Sequence, residues 1–309
     1  MKNILITGGT GFLGSKIYNE FKPDNFVRSV GRSTNNDIIC DLRTKVPQFQ
    51  NNIFDTVIHC AGKAHSIPIN QNEVQEFTEV NFTGTKNLLK GIDSLAILPK
   101  SFVFISSVAV YGVEQGKLIN EKDVARPKTP YGISKKLAED YIRKWGKINN
   151  VKICIIRAPL IIGKAPLGNL KFMIDNIKSG RYLNVNKGQA RKSMVLAQDI
   201  ISFIPVLIEN EGIYNLTDGC HPSFFELSEL IAKCTSKKPV YNVSLNTARV
   251  LARLGDLIHY SFKIETPFNS SKLKKITASL TFDDTKARKI GWKPNCTLSK
   301  PHLWLDYEL

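Results

Sequence analysis

A glycine-rich turn close to the N-terminus constrains the fold of this chain more than any other feature. The apolar run Asn3–Ile6 leads into Thr7-Gly8-Gly9-Thr10-Gly11-Phe12-Leu13-Gly14, and a segment of helical period follows. Residues without a β-carbon let the backbone turn sharply and approach a pyrophosphate, while the next helix offers free N–H groups. Glycines alone would indicate only a tight turn, but this strand–turn–helix order predicts a dinucleotide site. The residues expected to line it are Gly8, Gly11, Phe12, Leu13 and Gly14.

The first half of the chain alternates short apolar, β-branched runs with longer segments of helical period. The predicted strands are Asn3–Ile6, Phe26–Val30, Asp37–Cys40, Thr56–Cys60, Phe102–Ile105 and Lys152–Ile156. The predicted helices are Gly11–Phe21, Val74–Ile92 and Tyr131–Trp145, the last with Thr129 as its cap and Pro130 at its first position. This alternation predicts an α/β fold with a doubly wound parallel sheet of the Rossmann type.

The pattern changes after Arg157, where prolines and glycines interrupt the regular period. We expect residues 1–157 to form the dinucleotide-binding domain, with 195–217 packing back against it. We expect residues 158–194 and 218–309 to form a smaller, interleaved lobe that binds substrate. A helix is predicted near Lys171–Lys178, a strand at Gly212–Leu216 and a helix at Ser223–Cys234.

The choice between NAD and NADP depends on the end of the second strand. NAD-binding enzymes usually carry an acid there, whereas arginine accommodates a 2′-phosphate. Here Gly31-Arg32-Ser33 follows Val30 without an acid, which favours NADP and leaves NAD open. Arg32 could equally be an exposed loop residue. Asp41 and Leu42 follow the third strand and are expected to meet the adenine.

Three residues predict acid–base chemistry at the carboxyl edge of the sheet. Tyr131 and Lys135 are four apart and share one helical face. A neighbouring ammonium is expected to lower the pKa of the Tyr131 phenol towards neutrality. Ser107 follows an apolar strand, so its hydroxyl is placed to hydrogen-bond a substrate oxygen. Tyr111, His59 and His65 could touch a ligand, although packing is the commoner role for such residues.

The amino-acid composition limits the kinds of partner that this protein is expected to bind. The 43 lysines and arginines against 27 acids give a formal charge of +16. That charge is compatible with nucleic acid, an anionic membrane surface or phosphate-bearing ligands. The lysines are dispersed and no aromatic stacking array accompanies them, so we expect no nucleic acid. No run of about 18 apolar residues and no secretory signal occur, which predicts no membrane insertion and a cytoplasmic location. Six scattered cysteines are expected to be reduced, and no metal site is expected.

The chain resembles an extended short-chain dehydrogenase/reductase of the nucleotide-sugar epimerase/dehydratase family. The matching motifs are the glycine turn, His59-Cys60-Ala61-Gly62, Val80-Asn81-Phe82-Thr83-Gly84-Thr85, the Ser107 strand, the Tyr131/Lys135 pair and Gly291-Trp292-Lys293-Pro294. The resemblance implies that Ser107, Tyr131 and Lys135 are catalytic and that Lys135 also binds the nicotinamide ribose. It further implies that Cys60, Ala61 and Gly62 line the cofactor and that Asn81 supports the active-site helix.

The departures from the family pattern suggest a branch. Arg157-Ala158-Pro159-Leu160 has proline where many members have asparagine, and Leu196-Ala197-Gln198-Asp199 replaces the usual His-Val-x-Asp. The segments Gly168-Asn169, Arg191-Lys192-Ser193 and Ser279–Asp283 resemble reductases of UDP-4-keto-6-deoxy-N-acetylhexosamines, which serve surface-polysaccharide synthesis. Asn169 and Lys192 are candidate substrate contacts, and a solvated surface role for them is about as well supported.

Three functional readings follow, and the sequence leaves all three open. The first is NAD(P)-dependent reduction of a 4-keto, UDP-linked sugar, and the second is a UDP-sugar 4-epimerase with tightly bound NAD. The third is a binding protein that senses NAD(P) without turning over substrate, which the intact Ser107/Tyr131/Lys135 set argues against. A homodimer is compatible with each reading.

Overall fold

The computed structural model describes residues 1–49, 52–64, 68–166, 168–235, 239–262, 266 and 268–305. Its strands, in chain order, are β1 (Asn3–Thr7), β2 (Phe26–Gly31), β3 (Ile38–Ile39), β4 (Thr56–His59), β5 (Ser101–Ser107), β6 (Gly116–Ile119), β7 (Lys152–Ala158), β8 (Leu160–Ile162), β9 (Leu183–Val185), β10 (Met194–Leu196), β11 (Gly212–Asn215), β12 (Tyr241–Val243) and β13 (Leu280–Phe282). Its α-helices are α1 (Phe12–Phe21), α2 (Gln71–Thr78), α3 (Gly84–Asp93), α4 (Pro130–Asn149), α5 (Gly168–Ser179), α6 (Ala197–Glu209), α7 (Phe224–Thr235), α8 (Leu245–Phe262), α9 (Ser270–Thr277) and α10 (Thr285–Arg288).

Seven parallel strands form the central sheet in the order β11-β7-β5-β4-β1-β2-β3. The chain winds outwards in both directions from β1, so the sheet has its topological switch point between β1 and β4. Ligands of such sheets bind outside the carboxyl ends of the strands at that point. The predicted doubly wound α/β fold is confirmed.

The two faces of the sheet are covered by different helices because alternate strand residues point to opposite sides. Ile4 and Ile6 pack with α1 and α6 in one apolar cluster. Leu5, between them, belongs to the cluster on the other face, which includes residues of α3 and α4. Near-continuous apolar strands such as β5 are therefore buried on both sides.

The predicted helix at Val74–Ile92 is wrong in detail, because the structure divides this segment. It starts earlier, at α2, where the Asn70 side chain caps the helix by accepting a hydrogen bond from the Glu73 N–H at 2.9 Å. A π-helical turn, Glu79–Thr83, then separates α2 from α3. Such turns are rare and frequently mark functional sites.

The second half of the chain adds three two-stranded parallel pairs: β8 with β10, β9 with β12 and β6 with β13. Residues of α6 pack in the same apolar cluster as Ile4 and Ile6. Strand β11 pairs with β7 at the edge of the main sheet. None of the described helices has the length and apolar character needed to cross a membrane.

The expectation that all six cysteines are reduced is corrected for one pair. The structure joins Cys220 and Cys296 in a disulfide with Cα atoms 5.7 Å apart. Asp218 accepts a hydrogen bond from the Thr297 hydroxyl at 2.6 Å and so brings the two segments together. A separation of 76 residues gives no spacing signal for such a pair. Cys40, Cys60, Cys154 and Cys234 are free.

Candidate active site

The glycine turn is built by close backbone approaches at the end of β1. Gly8 has a φ of +71°, and a β-carbon there would lie 2.8 Å from the Ala61 nitrogen. A β-carbon on Gly14 would lie 2.2 Å from the Gly8 carbonyl oxygen. The Gly11 N–H donates to that same oxygen at 2.9 Å. Gly8 and Gly14 are therefore required by the turn itself.

Gly11 differs from these two glycines, because the space that its β-carbon would occupy is largely empty. A β-carbon on Gly11 would approach the Gly8 oxygen at 3.2 Å and no other atom of the described residues within 4 Å. Gly11 is also the N-cap of α1 and has no side chain to occupy the first N–H groups of that helix. Open space beside uncapped N–H groups fits the pyrophosphate of a dinucleotide. Phe12 and Leu13, the first residues of α1, adjoin this space.

The predicted adenine end of the site contains a cluster of charges. Arg32 follows β2 and is exposed. Asp41 accepts hydrogen bonds from the Arg43 guanidinium, one at 2.7 Å, and these bonds hold the pKa of the Asp41 carboxyl below its usual value. Glu76 on α2 forms ion pairs with Arg43 and Lys63. Leu42 is buried beneath this cluster.

Asn36 is a polar residue at this end that the sequence reasoning missed. Its amide nitrogen donates to the Ser33 carbonyl at 2.9 Å. Its Oδ1 is buried without a hydrogen-bond partner among the described residues. A β-carbon on Gly31 would lie 3.0 Å from that oxygen, so a glycine is needed beside it. The run Ser33–Asp37 indicates a polar loop, but no pattern in it singles out the one buried asparagine.

Ser107 and Tyr131 are brought together by a close contact between α4 and the turn after β5. The Thr129 hydroxyl caps α4 by accepting from the Gly132 N–H at 3.1 Å, and Pro130 is the first residue, as predicted. A β-carbon on Gly132 would lie 2.5 Å from the Ala109 carbonyl oxygen, so only glycine lets α4 approach so closely. The Ser107 side chain lies close enough to the Tyr131 hydroxyl to oppose the rise of the Tyr131 pKa.

Lys135 is buried one helical turn further along α4. Its Nζ donates to the Ile105 carbonyl at 2.9 Å and lies 4.7 Å from the centre of the Phe104 ring. A β-carbon on Gly62 would lie 3.0 Å from Nζ, so the chain after β4 must be free of side chain here. Burial lowers the pKa of Lys135 to about 8, and the nearby Glu139 carboxylate opposes that shift.

The expected lowering of the Tyr131 pKa is wrong for the protein without ligand. Burial raises the pKa of Tyr131, and the neighbouring Ser107 side chain only partly opposes this. The reason is that the ammonium of Lys135 is directed at a backbone carbonyl beneath the site rather than at the phenol. The resting form of Tyr131 is therefore a neutral phenol, which is a proton donor.

Asn81, in the π-helical turn, connects three parts of the site. Its Oδ1 accepts from the Lys63 N–H at 2.7 Å, and its amide donates to the Lys63 carbonyl at 3.1 Å and to the Ser134 hydroxyl at 2.9 Å. Asn81 therefore fixes the segment after β4 against α4, between Tyr131 and Lys135. The extra residue in the helical turn gives this side chain its position.

His59 supports the same arrangement from below. The Thr85 hydroxyl donates to the Asn81 carbonyl at 2.6 Å, so it accepts from the His59 ring at 2.8 Å, and the other ring nitrogen accepts from Thr7 at 2.6 Å. Burial lowers the pKa of His59 to about 3, which keeps the ring neutral. His59 is thus part of the core under the site, and His65 lies outside the described residues.

A buried ion pair continues this network behind Ser107. Glu139 accepts hydrogen bonds from Arg157 at 2.7 Å and from the Ser106 hydroxyl at 2.6 Å. Arg157 lies over the ring of Tyr111, whose hydroxyl donates to Asn215 on β11 at 2.8 Å. Tyr111 therefore connects the turn after β5 to the sheet edge.

The two predicted substrate contacts, Asn169 and Lys192, belong to the second half of the chain. Asn169 is exposed in the first turn of α5. Lys192 is half-buried beside β13, with its N–H donating to the Pro222 carbonyl at 3.0 Å. In the part of the chain that the structure describes, no hydrogen bond or ion pair joins either residue to Ser107 or Tyr131.

No metal site was expected, and no group of three or more histidine, cysteine, aspartate or glutamate side chains suited to a metal occurs among the described residues.

Known proteins share this architecture. The chain is 27% identical over 320 residues to the N-acetyl-alpha-D-glucosaminyl-diphospho-ditrans,octacis-undecaprenol 4-epimerase of Escherichia coli O157:H7, covering 96% of this chain and 92% of that one. It is 26% identical to the UDP-glucose 4-epimerase of Vibrio cholerae, covering 97% and 93%. In structure it is similar to the UDP-N-acetylglucosamine 4-epimerase of Methanobrevibacter ruminantium M1 in complex with UDP-N-acetylmuramic acid, with a TM-score of 0.71, 21% identity, and 95% and 93% coverage.

The family model described as the NAD dependent epimerase/dehydratase family matches residues 4–217. That span contains the glycine turn, Ser107, Tyr131 and Lys135, which carried much of the resemblance in the sequence, whereas the Gly291-Trp292-Lys293-Pro294 motif lies beyond it. The resemblance to extended short-chain dehydrogenases/reductases is thereby confirmed, and the chain belongs to the NAD-dependent epimerase/dehydratase family.

Proposed function

We propose that this enzyme transfers hydride at C4 of a UDP-linked sugar, with NAD or NADP bound at the glycine turn. The observation that carries the proposal is the close packing of the start of α4 against the turn after β5, which places Tyr131 beside Ser107, with the buried Lys135 Nζ hydrogen-bonded to the Ile105 carbonyl of the same strand. The nicotinamide ring, when bound, supplies or accepts the hydride. Gly8, Gly11, Phe12, Leu13, Gly14, Cys60, Ala61, Gly62 and Lys135 are the proposed cofactor-binding residues.

Side chains of the protein transfer the proton between the enzyme and the C4 oxygen of the sugar. Ser107 hydrogen-bonds the C4 oxygen and places it beside the Tyr131 hydroxyl. Tyr131 gives its proton to that oxygen when a carbonyl is reduced and takes the proton when a hydroxyl is oxidised. Lys135 is cationic below its pKa of about 8 and stabilises the charge that Tyr131 carries after it donates. Asn81 positions α4 for this exchange.

Epimerisation is the first form of this reaction. Relatives that cover more than nine-tenths of both chains are 4-epimerases, one acting on UDP-glucose and one on a lipid-diphosphate-linked sugar. Oxidation at C4, rotation of the keto sugar and return of hydride to its other face require only the groups described above.

Reduction of a 4-keto, UDP-linked sugar is the second candidate, and two observations favour it. Tyr131 rests as a neutral phenol because burial raises its pKa, which suits a proton donor. Arg32, rather than an acid, follows β2, and an arginine there suits the 2′-phosphate of NADP. A reductase exchanges such a cofactor at each turnover. Asn169 and Lys192 are proposed substrate contacts in either case.

The test is to determine the cofactor retained by the purified protein and then to assay both reactions. Release of stoichiometric NAD, together with conversion of UDP-glucose or UDP-N-acetylglucosamine to its C4 epimer without added cofactor, supports epimerisation. An empty protein that consumes NADPH only with a UDP-4-keto sugar supports reduction. Failure of both assays, with a folded protein that binds cofactor, would favour the NAD(P)-sensing alternative.

A further inference from the structure

The fully buried residues described in helix α8 are small, and Leu245 at its start is partly buried beside them. Ala248 and Ala252 are buried against Leu273 of α9. A β-carbon on Gly255 would lie 2.0 Å from the Phe268 carbonyl oxygen, so this stripe of the helix sits directly against backbone. The large apolar side chains further along α8 are consequently directed elsewhere.

Those large side chains form a second, exposed stripe. Its members recur with helical period, so they lie along one side of α8. We call this set the α8 stripe: Val250, Leu251, Leu254, Leu257 and Ile258, each between 44% and 60% exposed. Contiguous exposed apolar patches are uncommon on soluble monomers and mark interaction surfaces.

Positive charge accompanies the α8 stripe. Arg249 and Arg253 project from the adjacent side of the helix, and Lys274 and Lys275 are exposed on α9, which packs against α8. A helix with an apolar stripe and basic flanks is typical of peripheral binding to anionic lipid. A second copy of the chain would bring the same positive charges to the interface, whereas an anionic bilayer complements them.

Helix α9 connects this surface to elements near the candidate active site. Lys274 forms an ion pair at 2.7 Å with Glu114, in the loop that follows the Ser107 turn. After α9 the chain enters β13, where Phe282 stacks on Tyr111 with ring centres 5.6 Å apart. A partner bound to α8 is therefore one helix away from the elements that surround Ser107.

We propose that the α8 stripe docks this protein peripherally on an anionic lipid bilayer. The stripe enters the headgroup region, Arg249, Arg253 and Lys275 contact lipid phosphates, and none of the described helices crosses the membrane. Docking holds the protein at a bilayer, whichever sugar is turned over, and so goes beyond the proposed reaction.

Flotation with lipid vesicles tests the proposal. We expect the full chain to float with phosphatidylcholine vesicles that contain about 30% phosphatidylglycerol, and to stay behind with phosphatidylcholine alone. The double variant Leu254→Gln/Leu257→Gln should lower the bound fraction by about tenfold, as should Arg249→Glu/Arg253→Glu. The matched control is Ile97→Gln/Ile148→Gln, which makes the same change at two exposed residues away from α8 and should bind like the wild type.

Each other result would overturn the proposal. Flotation that the α8 variants do not reduce would place the lipid contact elsewhere, and no flotation would remove it. If the wild type instead self-associates and Leu254→Gln/Leu257→Gln makes it monomeric without any vesicle binding, the stripe joins two copies. Melting curves and turnover of a soluble UDP-sugar should match the wild type in all variants, which separates failure of docking from failure of the proposed reaction.

Discussion

At the scale of single residues, the hydroxyl of Tyr131 is the atom on which the proposed chemistry depends. Removing it as Tyr131→Phe should lower kcat by about 100-fold or more, because only the proton-transferring oxygen is lost. Cofactor affinity, measured by calorimetry, should be nearly unchanged. Tyr141→Phe, on the same helix with its ring packed against Phe82, is the matched control. A Tyr131→Phe enzyme with normal kcat would exclude this residue from the mechanism.

Lys135 predicts a pH dependence of the reaction. Its burial lowers its pKa to about 8, so the ammonium is present below that pH and is lost as the pH rises through it. We therefore expect kcat/KM to fall at alkaline pH with a midpoint near 8. Glu139 favours the charged form, so Glu139→Gln should move the midpoint to lower pH. A profile between about pH 6 and pH 10 that stays flat or rises would contradict the role given to Lys135.

The position of Arg32 after β2 leads us to predict a preference for NADPH over NADH. An exposed arginine–phosphate contact is partly screened by solvent, so we expect NADPH to bind only about tenfold more tightly than NADH, or about 1.4 kcal/mol. Arg32→Ala should erase most of this preference and leave NADH affinity unchanged. Arg28→Ala, at an exposed position on β2, is the control. Titrations that show equal affinities, or a preference of the wild type for NADH, would remove the NADP assignment and favour an epimerase that retains NAD.

At the scale of the elements, two glycines of the glycine turn are expected to have different roles, one in cofactor binding and one in the stability of the turn. Gly11→Val should fold but lose dinucleotide binding, because the space beside Gly11 is open except for the Gly8 oxygen at 3.2 Å. Gly14→Ala should instead lower the melting temperature, because its β-carbon would lie 2.2 Å from the same oxygen. Calorimetry and thermal unfolding of both variants separate the two effects. Undiminished cofactor affinity in a folded Gly11→Val protein would show that the pyrophosphate does not lie here.

Elements whose signals are local could be predicted from the sequence. The cap of α4 by Thr129, its first residue Pro130 and the strands of the sheet follow from nearby residue types, and the structure has them within a few residues of the predicted bounds. The π-helical turn could not be predicted, because it depends on hydrogen bonds between Asn81 and residues 18 and 53 positions away. The direction of the Lys135 ammonium depends likewise on the Ile105 carbonyl, 30 positions away.

At the scale of the whole molecule, the C-terminal segment packs against α6 and against the segment that follows β11. Asn295 donates to Asp199 at the start of α6, and the Trp292 indole donates to the Thr217 carbonyl at 3.0 Å. These contacts and the Cys220–Cys296 disulfide join distant parts of the chain, which composition and period do not predict. The division into a cofactor domain, residues 1–157, and a substrate lobe stays a prediction.

The most direct test of C4 hydride transfer uses a UDP-hexose that carries deuterium at C4. The enzyme is incubated with it, and the positions of the label in sugar and cofactor are followed by NMR. The account predicts that deuterium leaves C4 only for the nicotinamide, and that in an epimerase it returns to C4 of the epimer without loss to water. Epimer formed with deuterium released into water, or a label that never leaves C4 in a protein loaded with oxidised cofactor, would contradict the account.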